Sequence, residues 1–380
     1  MASNKIKVAM IGTKGIPAKW GGIEKYIEEV GKRLVQRRHE VTVFGSKWFC
    51  GNYHKSYYHG IKIRSVPSIH KQSTDALSNG FISTLYTLIE DYDIVHLHGY
   101  ASYFYVPIIN LLNKKTVITA HGMESGWDNP KYGSTARKII KAAFKIGITK
   151  ADIVTTVADH LCRRIMSEFG IDSTVVPSGI SIESIIKPDI IKEKYKLNGN
   201  DYILFLGRID PIKRVDWVVA LSDVIDSNFR VVIAGGPQDA SSAEYFELLK
   251  KKASNSRKCI FTGPVSGKEK QELLSNCRLF VTPSLNEGLP VALLEASSFE
   301  RLCLASDIPA HREVIDDGLT GFLFDSKDEN TLLKKTLQLL FLPENQSSNI
   351  CKSAKEKVLQ KFNWDVSTSL IEKTYYNLLN

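Results

Sequence analysis

Twelve short apolar runs recur along the chain, and helical spacing of apolar residues fills much of the sequence between them. In the first half they are KIKVAMI (5–11), VTVF (41–44), Lys62–Val66, Ile94–Leu97, Thr116–Thr119, Ile153–Val157 and Ser173–Val176. In the second half they are YILFLG (202–207), RVVIAGG (230–236), KCIFTGPV (258–265), RLFVTPS (278–284) and RLCLASD (301–307). Runs of this kind suit strands buried on both faces, and strands alternating with helices over short connections make a parallel sheet covered by helices. Two such series predict an α/β protein of two doubly wound, Rossmann-like parallel-sheet domains. At 380 residues and 43% hydrophobic content the chain is long enough to bury two cores. The turn-rich VVPSGIS (175–181), followed by the polar IKPDIIKEKYKLNGND, marks the boundary. The expected domains are 1–178 and 179–363, with the final helix from 364 treated apart. Open α/β sheets bind ligands beyond the carboxyl ends of their strands, so two such domains facing each other predict a central cleft.

Segment 281–300, VTPSLNEGLPVALLEASSFE, joins a strand to an apolar-faced helix through a polar loop. Pro290 suits the first helical position, where a missing N–H costs nothing. Glu287 then lies in the loop and Glu295 on the helix, so the two carboxylates reach different parts of one ligand. The N–H groups of Gly288, Leu289 and the first turn, with the positive end of the helix dipole, make an anion site beside them. A phosphate with hydroxyl-rich groups on both sides fits this arrangement; two solvated surface glutamates are the plainer alternative.

This segment resembles the donor-binding motif of the family 4 glycosyltransferases, retaining enzymes of the GT-B fold. The resemblance implies that Glu287 serves the sugar and Glu295 the ribose hydroxyls of a nucleotide. GTKGIPAKWGGIEKYIEEV (12–30) is similar to the opening of a subgroup that includes bacterial rhamnosyltransferases. There Gly21 and Gly22 face the donor phosphates, and the loop around them, with Lys14 and Lys19, shapes the acceptor side. Gly12, Gly15 and the Gly21–Gly22 pair do not form the G-x-G-x-x-G fingerprint, which argues against a nicotinamide or flavin site. The resemblance also places His121, in TVITAHGMES, beside the donor sugar. It gives Arg208 and Lys213 of GRIDPIKRV to the leaving diphosphate, as two fixed cations suit its oxygens. Backbone groups of Pro264 and Val265 fall to the nucleobase. DIPAHREVIDDGLTGFLF (307–324) continues the likeness, whereas Phe299–Arg301 stand where the family has a glycine. The last helix, with apolar Val366, Leu370, Tyr375 and Leu378, is expected to return to the first domain.

His96 and His98 of IVHLHG are two apart on a strand and share a face. No further ligand accompanies them at a recognised spacing, so no metal site is expected. His98 ends its strand and is an acceptor-side candidate; a buried, hydrogen-bonded histidine is the alternative. Six scattered cysteines without a C-x-x-C pair read as reduced thiols of a cytoplasmic protein. The amino terminus shows no signal-like apolar core, and no apolar run reaches the ~18 residues that span a bilayer. Residues 1–185 carry 24 Lys and Arg against 15 Asp and Glu, while the rest carries 26 of each. All of the net +9 therefore lies in the half assigned to the acceptor. Part of it falls on STARKIIKAAFKIGITK, an amphipathic helix suited to lying on an anionic membrane.

Together these readings imply a retaining hexosyltransferase that uses a nucleotide diphosphate sugar without metal or other cofactor. Its acceptor is a hydroxyl of a glycan or a polyprenyl diphosphate-linked sugar, in bacterial surface polysaccharide or glycoconjugate synthesis. The enzyme is expected in the cytoplasm, peripheral on the inner face of the membrane. No aromatic arrangement points to nucleic acid. A sugar-nucleotide epimerase of the same fold and a non-catalytic nucleotide-sugar-binding protein are the alternatives.

Overall fold

The computed structural model describes residues 5–18, 21–50, 56–69, 74–123, 133–254 and 256–380. It divides into two compact units, Met1–Gly179 with Phe362–Asn380, and Ile180–Lys361. The first runs β1 (Lys7–Ile11), α1 (Gly22–Gln36), β2 (Glu40–Ser46), α2 (Lys47–Cys50), β3 (Tyr57–Tyr58), β4 (Ile61–Val66), α3 (Thr74–Ile89) and β5 (Ile94–Leu97). It continues through α4 (Tyr100–Tyr103), α5 (Val106–Leu111), β6 (Lys115–Ala120), α6 (Ser134–Lys150), β7 (Ile153–Thr156), α7 (Asp159–Phe169) and β8 (Thr174–Val175). Its sheet has the order β3-β4-β2-β1-β5-β6-β7-β8 and is parallel except at the β3 edge. Val8 to Ile11 are fully buried, as a central strand covered on both faces requires.

The second unit runs α8 (Ile190–Tyr195), β9 (Tyr202–Leu206), α9 (Val215–Val224), β10 (Arg230–Ala234), α10 (Ala240–Ala253), β11 (Cys259–Gly263), α11 (Gly267–Asn276) and β12 (Leu279–Thr282). Then follow α12 (Val291–Ser298), β13 (Cys303–Ser306), α13 (Pro309–Arg312), β14 (Phe322–Phe324), α14 (Glu329–Leu340) and α15 (Glu344–Lys361). The sheet order is β11-β10-β9-β12-β13-β14, with every pair parallel. Ile203, Phe205, Val231, Ile233, Leu279 and Val281 build its core with Val218 and Leu221 of α9. Each such side chain taken from water contributes about 1.5–3 kcal/mol.

The last helix, α16 (Trp364–Leu379), packs on α1 in the first unit. Arg37 donates to Glu372 at 2.7 Å and Arg33 to Asp365 at 3.0 Å. The buried face differs from the expected one. Val366 is exposed and Leu370 half-buried, while Trp364, Ser367, Thr368, Ile371, Thr374 and Tyr375 turn inward. The buried hydroxyls are satisfied within the helix: Thr368 and Thr374 donate to carbonyls four residues back at 2.7 and 2.8 Å. Two strands absent from the sequence reading, β3 and β14, are two and three residues long, too short to show a period.

One helix is turned inside out. α3 buries Asp75, Asn79, Gly80, Ser83, Thr84 and Thr87 and exposes Leu77, Phe81, Leu85 and Ile89, the last at 79%. Gly80 permits the close approach, since a Cβ there would stand 2.9 Å from the ring of Tyr105. α5, which packs against both α3 and α6, adds exposed Ile108 and Leu111, and Leu112 follows. Among the described residues no helix is long and apolar enough to cross a membrane, and the six cysteines are free thiols.

Candidate active site

The strand order of the second unit reverses between β9 and β12. Loops leaving the carboxyl ends of two such strands diverge and open a crevice. The β9 loop carries Arg208 and Lys213, and the β12 loop carries Ser284, Glu287, Gly288 and Leu289. The two are tied by Leu285 N–H, which donates to the Ile212 carbonyl at 2.8 Å. Lys213 Nζ donates a short bond to Glu287 Oε1, which also accepts from Ser284 Oγ at 2.8 Å. Both partners of this pair are largely buried, their side chains 13% and 15% exposed. Burial alone raises the Glu287 carboxyl. The charges of Lys213 and His311 and the two hydrogen bonds outweigh it, and the group titrates below the ordinary 4.5. Arg208 is half-exposed and comes no closer than 4.0 Å to Asp210, so its guanidinium can turn toward an anion.

Pro290 is the residue before α12 rather than its first member, with ψ at 77° outside the helical range. Leu293 and Leu294 N–H both donate to its carbonyl. Gly288 and Leu289 N–H donate to nothing among the described residues. One turn further on, Glu295 accepts from Lys270 Nζ of α11 at 2.6 Å. Pro264 is exposed and Val265 half-buried in the connection from β11 to α11. Thus Arg208, Lys213, Pro264, Val265, Glu287, Gly288, Leu289 and Glu295 all belong to loops and helices that follow β9, β11 and β12.

The first unit has its own reversal, between β1 and β5. Gly12 and Gly99, which follow these strands, touch so closely that a Cβ on Gly99 would lie 2.5 Å from the Gly12 carbonyl. Gly21, at φ 106°, precedes α1, and Gly22 faces open space. Lys14 is exposed, and Lys19 lies outside the described residues. The start of α1 is acidic inside: Glu24 accepts from Thr13 Oγ1 and Lys14 N–H, both at 3.2 Å, and Glu28 from Ala18 N–H at 2.7 Å. These bonds pin the glycine loop. His98 Nδ1 lies 3.1 Å from His121 Nε2, and the Tyr26 ring stands edge-on to His121 at 5.0 Å. The His96 ring lies 4.1 Å from that of His98 but makes its own bonds, with the Tyr375 hydroxyl at 2.6 Å and Thr119 Oγ1 at 2.7 Å. Burial pulls the pKa of His96 and of His121 down to about 3, and that of His98 well below 6.5, so all three are neutral near pH 7.

Comparison with known proteins shows the family. The family described as "Glycosyltransferase Family 4" matches residues 20–184, and "Glycosyl transferases group 1" matches residues 187–357. The chain is a GT-B glycosyltransferase of the family 4 and group 1 type. The GDP-mannose-dependent alpha-(1-6)-phosphatidylinositol monomannoside mannosyltransferase of Mycolicibacterium smegmatis is 25% identical over 365 residues, 89% of this chain and 91% of that protein. An Escherichia coli UDP-Gal:alpha-D-GlcNAc-diphosphoundecaprenol alpha-1,3-galactosyltransferase is 24% identical, covering 78% and 79%. Sucrose-phosphate synthase from Thermosynechococcus elongatus shares the fold, with a TM-score of 0.84 at 18% identity over 98% of this chain and 99% of that one.

This glycosyltransferase holds three further polar residues at its candidate site that the sequence did not single out. Lys270 and Glu295 are 25 positions apart and meet because α11 packs beside α12. Ser284 fixes Glu287 from three residues upstream, a spacing that is visible in the sequence. His311 is fully buried and its Nδ1 bonds the Ser306 carbonyl at 2.7 Å, while Ser306 Oγ donates to the Ser284 carbonyl. That chain braces the Glu287 loop from behind.

Proposed function

We propose that this glycosyltransferase moves a sugar from a nucleotide diphosphate to a hydroxyl of a glycan or a polyprenyl diphosphate-linked acceptor, with retention and without a metal ion. The reading rests chiefly on Glu287, held by Lys213 and Ser284 at the sheet reversal beside the unpaired N–H groups of Gly288 and Leu289. Lys213, Arg208 and these N–H groups are preorganised donors for the charge that grows on the leaving diphosphate. Glu287 and His121 orient the sugar, Glu295 takes the ribose hydroxyls, and Pro264 and Val265 offer backbone groups to the base. The glycosidic C–O bond to phosphate breaks as the acceptor oxygen bonds the same face of the anomeric carbon. The acceptor proton passes to the departing phosphate oxygen, so no enzymic nucleophile or cofactor is required. The relatives that use GDP-mannose and UDP-Gal, one of them acting on a diphosphoundecaprenol-linked sugar, support this donor and acceptor class. The likeness of residues 12–30 to the rhamnosyltransferase subgroup favours a role in bacterial surface polysaccharide synthesis.

The test is transfer from a panel of radiolabelled sugar nucleotides, with and without lipid-linked acceptors and with EDTA, reading the anomeric configuration of the product. Acceptor-dependent, retained transfer in EDTA is expected. Conversion of the donor without acceptor would make the protein an epimerase, and loss in EDTA restored only by Mg²⁺ or Mn²⁺ would overturn the metal-free mechanism.

A membrane-facing acceptor is favoured by the inverted α3. Residues 76–89 and 99–113 contain no charged side chain, and Lys114 and Lys115 with Lys138, Lys141 and Lys145 of α6 stand on the neighbouring elements. Exposed apolar side chains with lysines on adjacent elements match an anionic leaflet, where each cation contributes ~1 kcal/mol within a Debye length. Binding to anionic vesicles should weaken with salt, and should fall when Lys138, Lys141 and Lys145 are neutralised or when exposed Ile89 and Leu111 become serine. Absence of binding at low salt alongside efficient transfer to a soluble acceptor would remove the membrane from the reading.

A further inference from the structure

The histidine pair of the first unit fixes more than position. His98 is 1% exposed, its Nδ1 faces His121 Nε2 at 3.1 Å, and its Nε2 is buried with no partner among the described residues. Both rings are neutral, so one proton lies in the bond between them and each ring has one nitrogen left over. If His121 donates, His98 must carry its own proton on Nε2, a buried N–H with no acceptor. If His98 donates, its Nε2 is a bare lone pair, and His121 carries its proton on Nδ1. Among backbone groups a buried N–H without an acceptor is rarer than an under-used acceptor, and we apply the same preference to the ring nitrogens. His121 is partly exposed and can meet water or a ligand in either form, so the choice falls on His98.

The separate chain through His96 shows that its neighbour does not compete. Thr155 Oγ1 donates to the Ile118 carbonyl at 3.1 Å, so it accepts from Thr119, which in turn accepts from His96 Nε2–H. His96 Nδ1 then accepts from the Tyr375 hydroxyl. Every proton of that chain is used, and none is offered to His98.

We propose that His98 is a positioning residue: it donates from Nδ1 to His121 Nε2 and so fixes His121 as the Nδ1–H tautomer, an N–H donor to an oxygen of the donor substrate. The final step of this inference rests on the assignment of His121 to the donor sugar; the tautomer does not. His98 is accordingly assigned a place behind His121 and not against the acceptor.

Nitrogen-15 NMR of the histidine-labelled full chain reads the protonated nitrogen of each ring directly. Nδ1–H on both His98 and His121 is expected, and Nε2–H on His121 would overturn the proposal. In activity, His98→Asn keeps an amide donor near the Nδ1 position, whereas His98→Leu removes it. The leucine variant should lose kcat by about tenfold to a hundredfold, as when groups that orient ligand histidines are removed, with KM little changed and most of kcat restored by asparagine. Equal kcat for both variants and the wild type would also overturn it. If His121→Ala transfers normally while NMR still finds Nδ1–H, the donor-sugar assignment fails and the tautomer stands.

Discussion

In the first unit, the side chains gathered beside the sheet reversal are His98 and His121, neutral, with the glycine loop pinned by Glu24 and Glu28. In the second, the same place in the same topology holds Lys213 with Glu287 and, one turn along α12, Lys270 with Glu295. One architecture thus carries two electrostatic solutions. On the proposed reading a charged leaving group needs fixed opposite charge, and the second unit offers Lys213, whose pairing keeps the buried Glu287 carboxyl ionised before any ligand arrives. On the same reading a sugar hydroxyl needs only oriented dipoles, which neutral rings offer without the desolvation cost of a charge.

The contrast can be broken most directly at Lys213. Lys213→Ala leaves Glu287 buried without its counter-ion, so stability of the second unit should fall by about 3–5 kcal/mol and transfer by about 10²–10³-fold. Urea unfolding and steady-state transfer check the two numbers, and a variant within twofold of wild type would show that the pair is not the site.

Acid separates the units next. His96 and His98 have folded pKa values below the ordinary 6.5, so the unfolded chain binds protons that the folded one refuses. Stability is full above about pH 6.5 and declines as pH falls toward the folded values. By pH 5 each buried ring costs ~2 kcal/mol. The Glu287 contribution is also lost on acidification, but only below the ordinary carboxylate value of 4.5. The second unit has one comparable histidine, His311, lowered to about 4 by burial. Peptide-resolved hydrogen exchange at pH 7.5 and 5.0 should therefore find the first unit loosened more. Equal loosening would dissolve the contrast.

Smaller effects sharpen the assignment within the second unit. Glu295→Ala should weaken binding of free nucleoside diphosphate by about 1.5–3 kcal/mol, as loss of hydrogen bonds to a charged group does, whereas Glu287→Ala should mainly slow transfer. Calorimetry that finds equal weakening would contradict the division of labour. Lys270→Ala, at a pair whose side chains are 32% and 25% exposed, should change stability and nucleotide affinity by less than about 1 kcal/mol. A loss as large as that of Glu295→Ala would make Lys270 itself a ligand contact.

Much of this was legible because burial on both faces writes itself into sequence as unbroken apolar runs. All twelve of those runs contain strands of the two sheets. The crossing of α16 onto α1 came only from the family likeness, and its buried face was misjudged because satisfied serine and threonine hydroxyls can go inward as readily as valine. Glu287 and Glu295 could be named from spacing, since the loop and helix that carry them are contiguous. Lys270 could not, because its meeting with Glu295 depends on how two helices pack. The pairing of His98 with His121 depends likewise on β5 and β6 being neighbours, which no local pattern states. The inverted α3 has a sequence signature, small polar residues on one face and large apolar ones on the other, but hydrophobicity alone assigns its faces the wrong way round.

The return of α16 has a consequence for synthesis on the ribosome. Tyr375 hydroxyl completes the bond to His96, and Trp364 seals Gly179 so tightly that a Cβ there would lie 2.4 Å from the Trp364 nitrogen. Both belong to a stretch translated after the entire second unit. The first sheet to emerge is thus the one that must wait longest for its last helix, and until that helix arrives its histidine layer stands open to water. A nascent chain stalled or clipped before residue 362 would carry a finished second unit and a first unit whose α1 lacks its covering helix.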